Sequence, residues 1–381
     1  MRVLYWTELF WPYIGGVEVL GTKLMPALLE RGHEVIVLTS HDTLELPDTD
    51  LYKGIPLYRL PFRKALATRD PSQLMEVRRQ VIRLKRHFKP DLIHMNYTGP
   101  AVYFHLRTAE AHLAPFLFTL RSALPIHAVG PDTLLGQALQ AADWVTTCSE
   151  ALLTDARLLA PEITSHSSII HNGLEVPGLL PEPLPVDAPR LLCLGRIVPQ
   201  KGFDLALRAF ASLRHRFPRA RLVIAGDGPL RPELEQQAAA LGLTHVADFI
   251  GWVAPDKVPE LMNTATVVIM PSRWEGLPNV ALQATVMARP IVATSVGGLP
   301  EVVVHQQTGL LVEQEDSEAL ADGIAFLLDH PEAATTMGRA GRLRAQRLFS
   351  LERHVDSYDA LYRKLIHEGT HVDAAASPAP R

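Results

Sequence analysis

Short β-rich runs alternate with longer amphipathic stretches along this chain, in two successive series. The candidate strands of the first series are residues 3–6, 34–39, 57–60, 92–94, 116–120, 144–148 and 168–171. Those of the second series are residues 191–194, 221–225, 247–250, 267–270, 291–293 and 309–312. Strands that alternate with helical stretches form parallel sheets covered by helices on both faces. The pattern therefore predicts the α/β class, with two doubly wound, Rossmann-like domains.

A proline-rich segment separates the two series. Residues 177–189 contain five prolines, and proline continues neither a helix nor a central strand. We therefore predict an N-terminal domain over residues 1–176, a linker over 177–189 and a C-terminal domain over 190–348. Helical spacing continues over residues 349–368, which leaves open whether this segment returns to the N-terminal domain. The Ala/Pro-rich residues 369–381 are expected to be disordered.

The composition is that of a globular protein without a membrane span. The chain has 381 residues, of which 47% are hydrophobic and 20% are charged. Its apolar runs fall far short of the roughly 18 residues that cross a bilayer, and no secretory signal is recognised. Cys148 and Cys193 lie in apolar, strand-like segments, as is typical of reduced, buried thiols. We therefore expect a cytoplasmic protein.

One window of the first series is strongly basic, although the formal net charge of the chain is −4. Residues 51–90 hold eleven Lys or Arg against two acidic residues. Within this window, residues 76–89 have the spacing of a basic amphipathic helix. Such a helix either packs its apolar stripe on a sheet or makes peripheral contact with anionic lipid at the inner face of a membrane. Nucleic acid is not expected, because no aromatic residues alternate with the basic ones.

Each series opens with a turn that suits an anionic ligand. Gly15 and Gly16 lie between the first candidate strand and a helix, where backbone can approach a ligand and helix N–H groups can meet an anion. In the second series, Arg196 lies at a strand end and Lys201 precedes the next helix. A guanidinium and an ammonium at this spacing can neutralise a diphosphate without a metal. The alternative is that these cations form structural salt bridges.

A third cluster follows the candidate strand at 267–270. Glu275 lies in a strand–loop–helix turn, and Gln283 lies roughly two helical turns beyond it. A carboxylate at this place can accept hydrogen bonds from sugar hydroxyls while backbone amides bind a phosphate. Alternatively, Glu275 caps its own helix. The backbone next to Glu275 that would face the same ligand belongs to Gly276, Leu277, Pro278, Asn279 and Val280.

A short acidic triplet, Asp48-Thr49-Asp50, invites comparison with the metal-binding DxD motif. That motif needs carboxylates at a strand end beside a nucleotide. This triplet follows Pro47 and precedes Gly54 in a polar stretch, so we expect a solvated turn. No His/Cys cluster has the spacing of a metal site, and no metal is expected.

In their order and spacing, these motifs resemble the retaining, nucleotide-sugar-dependent glycosyltransferases of family 4, which have the GT-B fold. The resemblance runs through residues 11–18, 31–35, 171–173, 195–202, 225–229, 275–280, 297–301 and 308–309. It implies an enzyme that moves a sugar from a UDP- or GDP-sugar to a hydroxyl of an acceptor glycan or lipid-linked glycan. It also implies a place in polysaccharide or glycolipid biosynthesis, and no cofactor.

The resemblance implies a role for each of the residues singled out above. Arg196 and Lys201 would bind the diphosphate and stabilise it as a leaving group. Glu275 would hold hydroxyls of the transferred sugar, and the backbone of residues 276–280 would bind the distal phosphate. Further contacts with the donor would come from Gly15, Gly16, Gly226, Gly228, Val253 and Gln283.

Two positions depart from the family pattern. Gln283 stands where a glutamate normally contacts the ribose hydroxyls, so one charge-assisted hydrogen bond becomes a neutral one, at a cost of about 1 kcal/mol. Arg121 stands where many members have a histidine near the reacting sugar, with His94 and His127 near it in sequence. Arginine is a poor general base because it stays protonated. We expect His94 and Arg121 on the acceptor or sugar side.

Two other functions are compatible with the same two-domain plan. One is a catalytically weak accessory subunit that binds nucleotide sugar, which the residues at 121 and 283 would explain. The other is a nucleotide-sugar epimerase, for which the sequence offers no additional acid or base carboxylates. Fold alone does not separate these functions.

Overall fold

A computed structural model describes residues 1–41, 44–68, 70–96, 99–124 and 130–375, and side chains as far as His367. The chain divides into two compact units. The first unit comprises Met1–Gly173 and the segment that begins at Leu351, and the second unit is Leu174–Ser350. Among the described residues, no helix has the length and apolar character needed to cross a membrane.

The first unit is built on one eight-stranded sheet. Its strands are β1 (Arg2–Thr7), β2 (Glu34–Ser40), β3 (Thr49–Tyr52), β4 (Ile55–Leu60), β5 (Leu92–Asn96), β6 (Phe116–Leu120), β7 (Trp144–Thr147) and β8 (Ser167–Ile169). Its helices up to this point are α1 (Gly16–Glu30), α2 (Phe62–Thr68), α3 (Pro71–Phe88), α4 (Pro100–Leu106), α5 (Leu134–Ala141) and α6 (Glu150–Leu159). The strand order is β3-β4-β2-β1-β5-β6-β7-β8, and only the β3–β4 pair is antiparallel. The central strands are buried on both faces, which is why they read as continuous apolar runs.

The edge strand β3 is the one strand of this sheet that the sequence pattern does not predict. It pairs with β4 across a tight turn in which Lys53 and Gly54 both have positive φ. Its residues are exposed or half-buried, because an edge strand needs little apolar surface. The prediction of a solvated turn at 48–50 is therefore wrong for Asp50, which lies in β3 and accepts a hydrogen bond from Arg59 Nη1 at 3.1 Å.

The second unit contains a six-stranded sheet in which every pair is parallel. Its strands are β9 (Arg190–Leu194), β10 (Arg221–Ala225), β11 (Ala247–Gly251), β12 (Val267–Met270), β13 (Ile291–Thr294) and β14 (Gly309–Val312). Its helices are α7 (Phe203–Leu213), α8 (Arg231–Ala240), α9 (Val258–Asn263), α10 (Asn279–Val286), α11 (Leu299–Val302), α12 (Ser317–Asp329) and α13 (Pro331–Leu348). The strand order is β11-β10-β9-β12-β13-β14. Two doubly wound parallel sheets confirm the predicted fold class.

The last helix, α14 (Leu351–Ala375), packs on the first unit. Tyr358, Tyr362 and Leu365 belong to the same buried cluster as the apolar residues of β1, β2 and β5. The helix is longer than the predicted segment 349–368. Residues 376–381 of the predicted disordered tail lie outside the described residues.

The proline-rich segment 177–189 has neither helix nor strand, and it lies on the second unit. Asn263 Nδ2 donates to Leu180 O at 2.9 Å, and Thr266 Oγ1 donates to Pro185 O at 2.9 Å. Arg289 also donates to a carbonyl of this segment, that of Glu182. Because side chains satisfy these carbonyls, the segment is part of the second unit's packing.

The basic helix α3 buries its apolar stripe in the first unit. It begins earlier than the predicted segment 76–89, because Asp70 caps it by accepting a hydrogen bond from Ser72 N at 2.8 Å. Val77 and Val81 are buried, and Lys85 continues the same stripe with no exposed surface. Spacing alone places Leu84 and Phe88 on this face, but both are only half-buried.

Lys85 is a buried amine with few polar neighbours. Its Nζ donates to Thr108 O at 3.1 Å and lies 3.5 Å from His105 Nδ1. The Trp6 ring faces this amine, with its centroid 5.8 Å from Nζ. Burial lowers the pKa of Lys85 to about 7, because the charged form loses its hydration.

Replacing Lys85 with methionine should remove a pH dependence of stability. A lysine in the unfolded chain has a pKa of about 10.4. Between about pH 7 and this value the unfolded chain binds more protons than the folded chain, so wild type gains stability as the pH rises. From pH 6 to pH 9 we expect the free energy of unfolding of wild type to increase by about 2–3 kcal/mol relative to Lys85→Met.

Urea unfolding at the two pH values measures this difference. Lys64→Met, which removes an exposed lysine of the same unit, should keep the wild-type pH dependence. If Lys85→Met and wild type show the same pH dependence, Lys85 is not buried in the way described.

Candidate functional site

The second sheet has a topological switch point between its two central strands. The connection that leaves β9 leads through α7 to β10 on one side, and the connection that leaves β12 leads through α10 to β13 on the other side. The loops that follow β9 and β12 therefore lie side by side at the carboxyl edge of the sheet and then diverge. Ligands of open α/β sheets bind in the crevice that such loops leave. The sequence motifs at 195–202 and 271–280 are these two loops.

Backbone hydrogen bonds join the loops at this edge into one framework. The loop after β9 contacts the loops after β10 and β12, and the loop after β12 contacts the loop after β13. The bonds are Ile197 N to Asp227 O, Arg273 N to Gln200 O, and Gly298 N to Gly276 O, each at 2.8 Å. Because backbone makes these bonds, the loops hold their shape without help from a ligand.

Two glycines allow this close approach. Gly202 has a φ of +61°, and a Cβ atom there would lie 2.0 Å from Pro271 O. Gly226 has a φ of +135°, and a Cβ atom there would lie 1.9 Å from Gly195 O. Both positions require a backbone region that L side chains rarely adopt. Gly228 lies in the same turn as Gly226.

Lys201 and Glu275 form an ion pair at the switch point. Lys201 Nζ lies 2.6 Å from Glu275 Oε1, and the two side chains are 15% and 5% exposed. Ser272 Oγ donates to the same carboxylate oxygen at 2.7 Å. Gln200 Nε2 lies 3.5 Å from Glu275 Oε2. The structural salt bridge that the sequence left open is thus present for Lys201, with Glu275 as its partner.

Arg196 differs from Lys201 in having no such partner. Its side chain is exposed. No side-chain hydrogen bond or ion pair joins its guanidinium to any residue in the described ranges. An arginine stays charged and offers five N–H donors. The loop after β9 therefore carries both Lys201, which pairs with Glu275, and Arg196, whose guanidinium has no partner in the part of the chain that the structure describes.

The segment after Glu275 leads into a helix, as the sequence predicts. The helix α10 begins at Asn279, and its cap position is Pro278, with no side-chain cap. Glu275 therefore does not cap this helix, which removes one alternative. Leu277 is buried, while Val280 and Gln283 lie on the first two turns and are half-buried.

Val253 follows β11, next to the turn of Gly226. Gly226 N donates to Gly251 O at 2.7 Å, so this loop joins the same framework. Val253 itself is half-buried. The predicted donor residues of the second unit thus lie on loops at the carboxyl edge of one sheet or on the first two turns of α10.

Two supporting residues of this site are not predicted by the sequence. Arg273 contacts Asp204 Oδ1 at 2.9 Å and Glu315 Oε1 at 2.6 Å, which ties the loop after β12 to α7 and to the segment after β14. The hydrogen bonds that Arg273 donates to the carboxylates of Asp204 and Glu315 raise its pKa. Gln200 donates to Trp274 O at 2.9 Å. Their partners are distant in sequence, so no local spacing indicates these contacts.

The predicted residues of the first unit have different environments. Gly15 precedes α1, and Gly16 is its first residue. His94 is fully buried in β5, and its ring nitrogens contact Tyr362 OH at 2.6 Å and Thr119 Oγ1 at 2.8 Å. Burial lowers the pKa of His94 well below its usual value. This placement does not support the expected substrate contact, because both ring nitrogens already bind side chains of the core.

Arg121 directly follows β6 and is also buried. It donates to Asn96, Asn172 and Tyr358. His127 lies outside the described residues. Within the described ranges, no group of three or more His, Cys, Asp or Glu side chains is placed to hold a metal ion.

Two family profiles match successive parts of the chain. Residues 14–177 match the profile described as Glycosyltransferase Family 4, and residues 181–344 match the profile described as Glycosyl transferases group 1. Together the two profiles take in most of the chain. The chain belongs to the family 4 glycosyltransferases. The family resemblance stated from the sequence motifs is therefore confirmed.

One similar family member is the GDP-mannose-dependent alpha-(1-6)-phosphatidylinositol monomannoside mannosyltransferase of Mycobacterium tuberculosis. It is 39% identical over 163 residues, which are 41% of this chain and 42% of the mannosyltransferase. The match thus spans less than half the length of that relative.

Solved structures of other glycosyltransferases have the same GT-B fold. Sucrose-phosphate synthase from Thermosynechococcus elongatus has a TM-score of 0.82 and 23% identity, over 97% of this chain and 100% of that one. HepE of Anabaena in complex with UDP-glucose has a TM-score of 0.79 and 21% identity, over 96% of this chain and 100% of that one. Because these sequence identities are below 25%, the structural similarity shows only that the present chain has the same fold.

Replacing Gly202 with alanine should destabilise the second unit by more than about 2 kcal/mol, because the new Cβ would meet Pro271 O as well as an unfavourable φ. Gly242 has a φ of +71° with nothing near its missing Cβ. Gly242→Ala should therefore cost only about 1 kcal/mol. Urea unfolding of both variants measures the difference. Equal losses would show that the close approach of the loops after β9 and β12 contributes nothing.

Proposed function

We propose that this chain is a glycosyltransferase that moves a sugar from a nucleotide diphosphate donor to an acceptor hydroxyl, in polysaccharide or glycolipid biosynthesis. The observation that carries the proposal is that one loop at the switch point bears both Lys201, paired with Glu275, and Arg196, whose guanidinium has no partner among the described residues. The relatives support UDP or GDP as the nucleotide. The mannosyltransferase is named for GDP-mannose, and HepE binds UDP-glucose.

The two cations have complementary tasks in this proposal. Arg196 offers a planar fork that matches two phosphate oxygens. Lys201 has three N–H donors and gives one to Glu275, so two remain for the diphosphate. Glu275 Oε1 is occupied by Lys201 and Ser272, whereas Oε2 has only the long contact with Gln200 Nε2 at 3.5 Å, so Oε2 is the oxygen that accepts from a sugar hydroxyl. The ion pair thus holds the diphosphate end and the sugar end of one donor at a fixed separation.

We propose retention of configuration, with the leaving diphosphate taking the acceptor proton. The bond from the anomeric carbon to the phosphate oxygen breaks, the bond to the acceptor oxygen forms on the same face, and the acceptor proton moves to the departing phosphate. Neither Arg121 nor the buried His94 is suited to act as a base. Charge on the leaving group is stabilised by Arg196 and Lys201, so we propose that no metal or other cofactor is needed.

An accessory subunit with little turnover is a second candidate function. Gln283 and Arg121 favour it, since both replace residues that family members normally have in contact with substrate. Such a protein would still bind nucleotide sugar through Arg196 and Lys201. An epimerase would interconvert the sugar without an acceptor, and the site shows no further acid or base to do so.

Incubation with UDP-, GDP- and ADP-sugars, with and without glycan and lipid-linked acceptors, tests these functions. We expect acceptor-dependent release of nucleotide that persists in EDTA. Arg196→Ala should lower kcat/KM by about 10²–10³-fold, equivalent to ~2–4 kcal/mol of transition-state stabilisation. Coupled nucleotide detection measures the rate.

Arg221→Ala is the matched control, because Arg221 is an arginine of the same unit that pairs with Asp248 at 2.9 Å. Its turnover should equal that of wild type. Binding without release would favour the accessory subunit, and sugar interconversion would favour the epimerase. Turnover of Arg196→Ala within a few-fold of wild type would remove Arg196 from the site.

We also propose a cytoplasmic protein that makes peripheral contact with the inner face of the membrane through α3. Because the apolar stripe of α3 is buried, its exposed surface is mainly charged, with Arg78, Arg83 and Arg86 exposed. The attraction would therefore be electrostatic and would weaken with salt.

Changing Arg78, Arg83 and Arg86 together to glutamine should weaken binding to phosphatidylglycerol vesicles at low salt. At about 1 kcal/mol for each charge, the loss is ~100-fold in affinity. Sedimentation with vesicles measures it. The control changes Arg208, Arg216 and Arg219 to glutamine, which removes the same charge from exposed positions of the second unit. If wild type does not sediment with the vesicles, or if both triple variants lose vesicle binding equally, α3 is not a membrane contact.

A further inference from the structure

Arg121 is a buried cation whose partners are all neutral. It is 8% exposed. Nε donates to Asn96 Oδ1 at 2.6 Å, Nη1 donates to Asn172 Oδ1 at 2.7 Å, and Nη2 donates to Tyr358 OH at 3.1 Å. Throughout the described ranges, no carboxylate lies within ion-pair distance of its guanidinium. Burial of a charge without a counter-charge is costly, and native structures normally pair such groups.

Other buried arginines of this chain have a different environment. Arg59 is 1% exposed and pairs with Asp50 at 3.1 Å. Arg289 donates to backbone carbonyls, one of them that of Glu182, whose charge also acts on it. The uncompensated charge of Arg121 is therefore not a general feature of how this chain buries arginine.

A second unsatisfied donor lies directly beside Arg121. Asn96 is fully buried, and its Nδ2 has no hydrogen-bond partner among the described residues. Arginine only donates, so the amide oxygen of Asn96 must face Arg121 and the NH₂ group must point elsewhere. Tyr5 lies near this amide without making a hydrogen bond of good geometry. A buried donor without an acceptor is rare and requires an explanation.

Both groups lie at the ligand-binding edge of the first sheet. Asn96 is the last residue of β5, and Arg121 directly follows the neighbouring strand β6. Carboxyl ends of parallel strands are where open α/β sheets bind ligands. The nearby carboxylate of Glu8 has its own cationic neighbour, Arg63 Nη2 at 3.6 Å, so Glu8 does not serve Arg121.

We infer that Arg121 and Asn96 form a subsite for an anionic group, a carboxylate or a phosphate, on the acceptor saccharide. Arg121 has two N–H donors beyond its three hydrogen bonds, and Asn96 Nδ2 adds two more. An anion there would satisfy the orphaned amide and supply the missing counter-charge. The inference rests on the proposed function, because it assigns the ligand to the acceptor of a glycosyl transfer.

The subsite gives the arginine at position 121 a role in specificity. A histidine at this place can hydrogen-bond a neutral sugar, whereas a buried guanidinium prefers a bidentate anion. The acceptor class is then an acidic saccharide, either a uronic acid or a phosphorylated sugar. A neutral acceptor would leave the charge of Arg121 uncompensated.

Calorimetric titration of the full chain without nucleotide tests the inference. The probes are methyl α-glucuronide, methyl α-glucoside and glucose 6-phosphate, which present a carboxylate, a neutral group and a phosphate. We expect at least one anionic probe to bind at least tenfold more tightly than the glucoside. Arg121→His, which introduces the residue common in the family, should bind that probe at least tenfold more weakly than wild type. Arg121→Lys should show a smaller loss of affinity.

Arg107→His is the control, since it makes the same substitution at an exposed arginine of the same unit and should leave binding unchanged. Preference for the glucuronide identifies a carboxylate, and preference for glucose 6-phosphate identifies a phosphate. If neither anion is preferred, or if Arg121→His binds as wild type does, the subsite does not exist.

Asn96→Asp tests the missing charge without any ligand. The substitution keeps the shape of the side chain and places a carboxylate beside Arg121. We expect the Tm of this variant to exceed that of wild type. The anionic probe that raises the Tm of wild type should not raise the Tm of the variant. A Tm below that of wild type would overturn the inference, because Arg121 would then already be compensated.

Nucleotide-sugar binding to wild type, measured in parallel, separates this inference from the proposed function. Failure to bind any UDP-, GDP- or ADP-sugar would contradict the glycosyltransferase while the anion titration still reports on Arg121. Donor binding with no anion preference would leave the transferase standing and remove the subsite.

Discussion

The ion pair between Lys201 and Glu275 is the contact on which the organisation of the second unit's edge depends. It joins the loop after β9 to the loop after β12 across the switch point, at 2.6 Å and with both side chains largely buried. Burial of such a pair contributes little net stability, because desolvation offsets the attraction. Its value is geometric. It fixes a cation and a carboxylate at a separation that suits the two ends of a sugar diphosphate, while the backbone of Gly202 and Gly226 allows the loops to meet.

The first unit differs from the second in how its buried polar groups are satisfied. Its helix α14 places Tyr358 and Tyr362 against the sheet, where their hydroxyls meet Arg121 and His94. His94 is satisfied at both ring nitrogens by this network, whereas Arg121 has only neutral partners and no counter-charge among the described residues. A fully satisfied buried network makes a core specific, and an incomplete one marks a place where a ligand completes it. Among the described residues, the two units thus differ in one buried cation: Lys201 of the second unit is paired with Glu275, whereas Arg121 of the first unit has no counter-charge.

Much of the fold was readable from local pattern, and the exceptions have physical causes. Parallel strands buried on both faces are continuous apolar runs, so the central strands of both sheets were predicted. β3 was missed because an edge strand needs little apolar surface and contains Asp50. The burial of Lys85 was not predicted because lysine is a charged residue, although its position four residues after Val81 continues the buried stripe. The supporting contacts of Arg273 and Gln200 were missed because their partners are close only in space.

The sequence by itself determined the class of fold, the two series of strands, the family and the loops that bear the predicted site residues. These depend on periodicity, on glycine at turns and on residue types near strand ends, all of which are local. Tertiary structure alone decided the environment of each charged or titratable group in the described ranges: Lys201 pairs with Glu275, Arg196 has no partner, His94 is enclosed and Arg121 has no counter-charge. The reason is that the free energy of a charge depends on its burial and on neighbours within a few ångströms. Those neighbours come from strands and helices that are far apart along the chain.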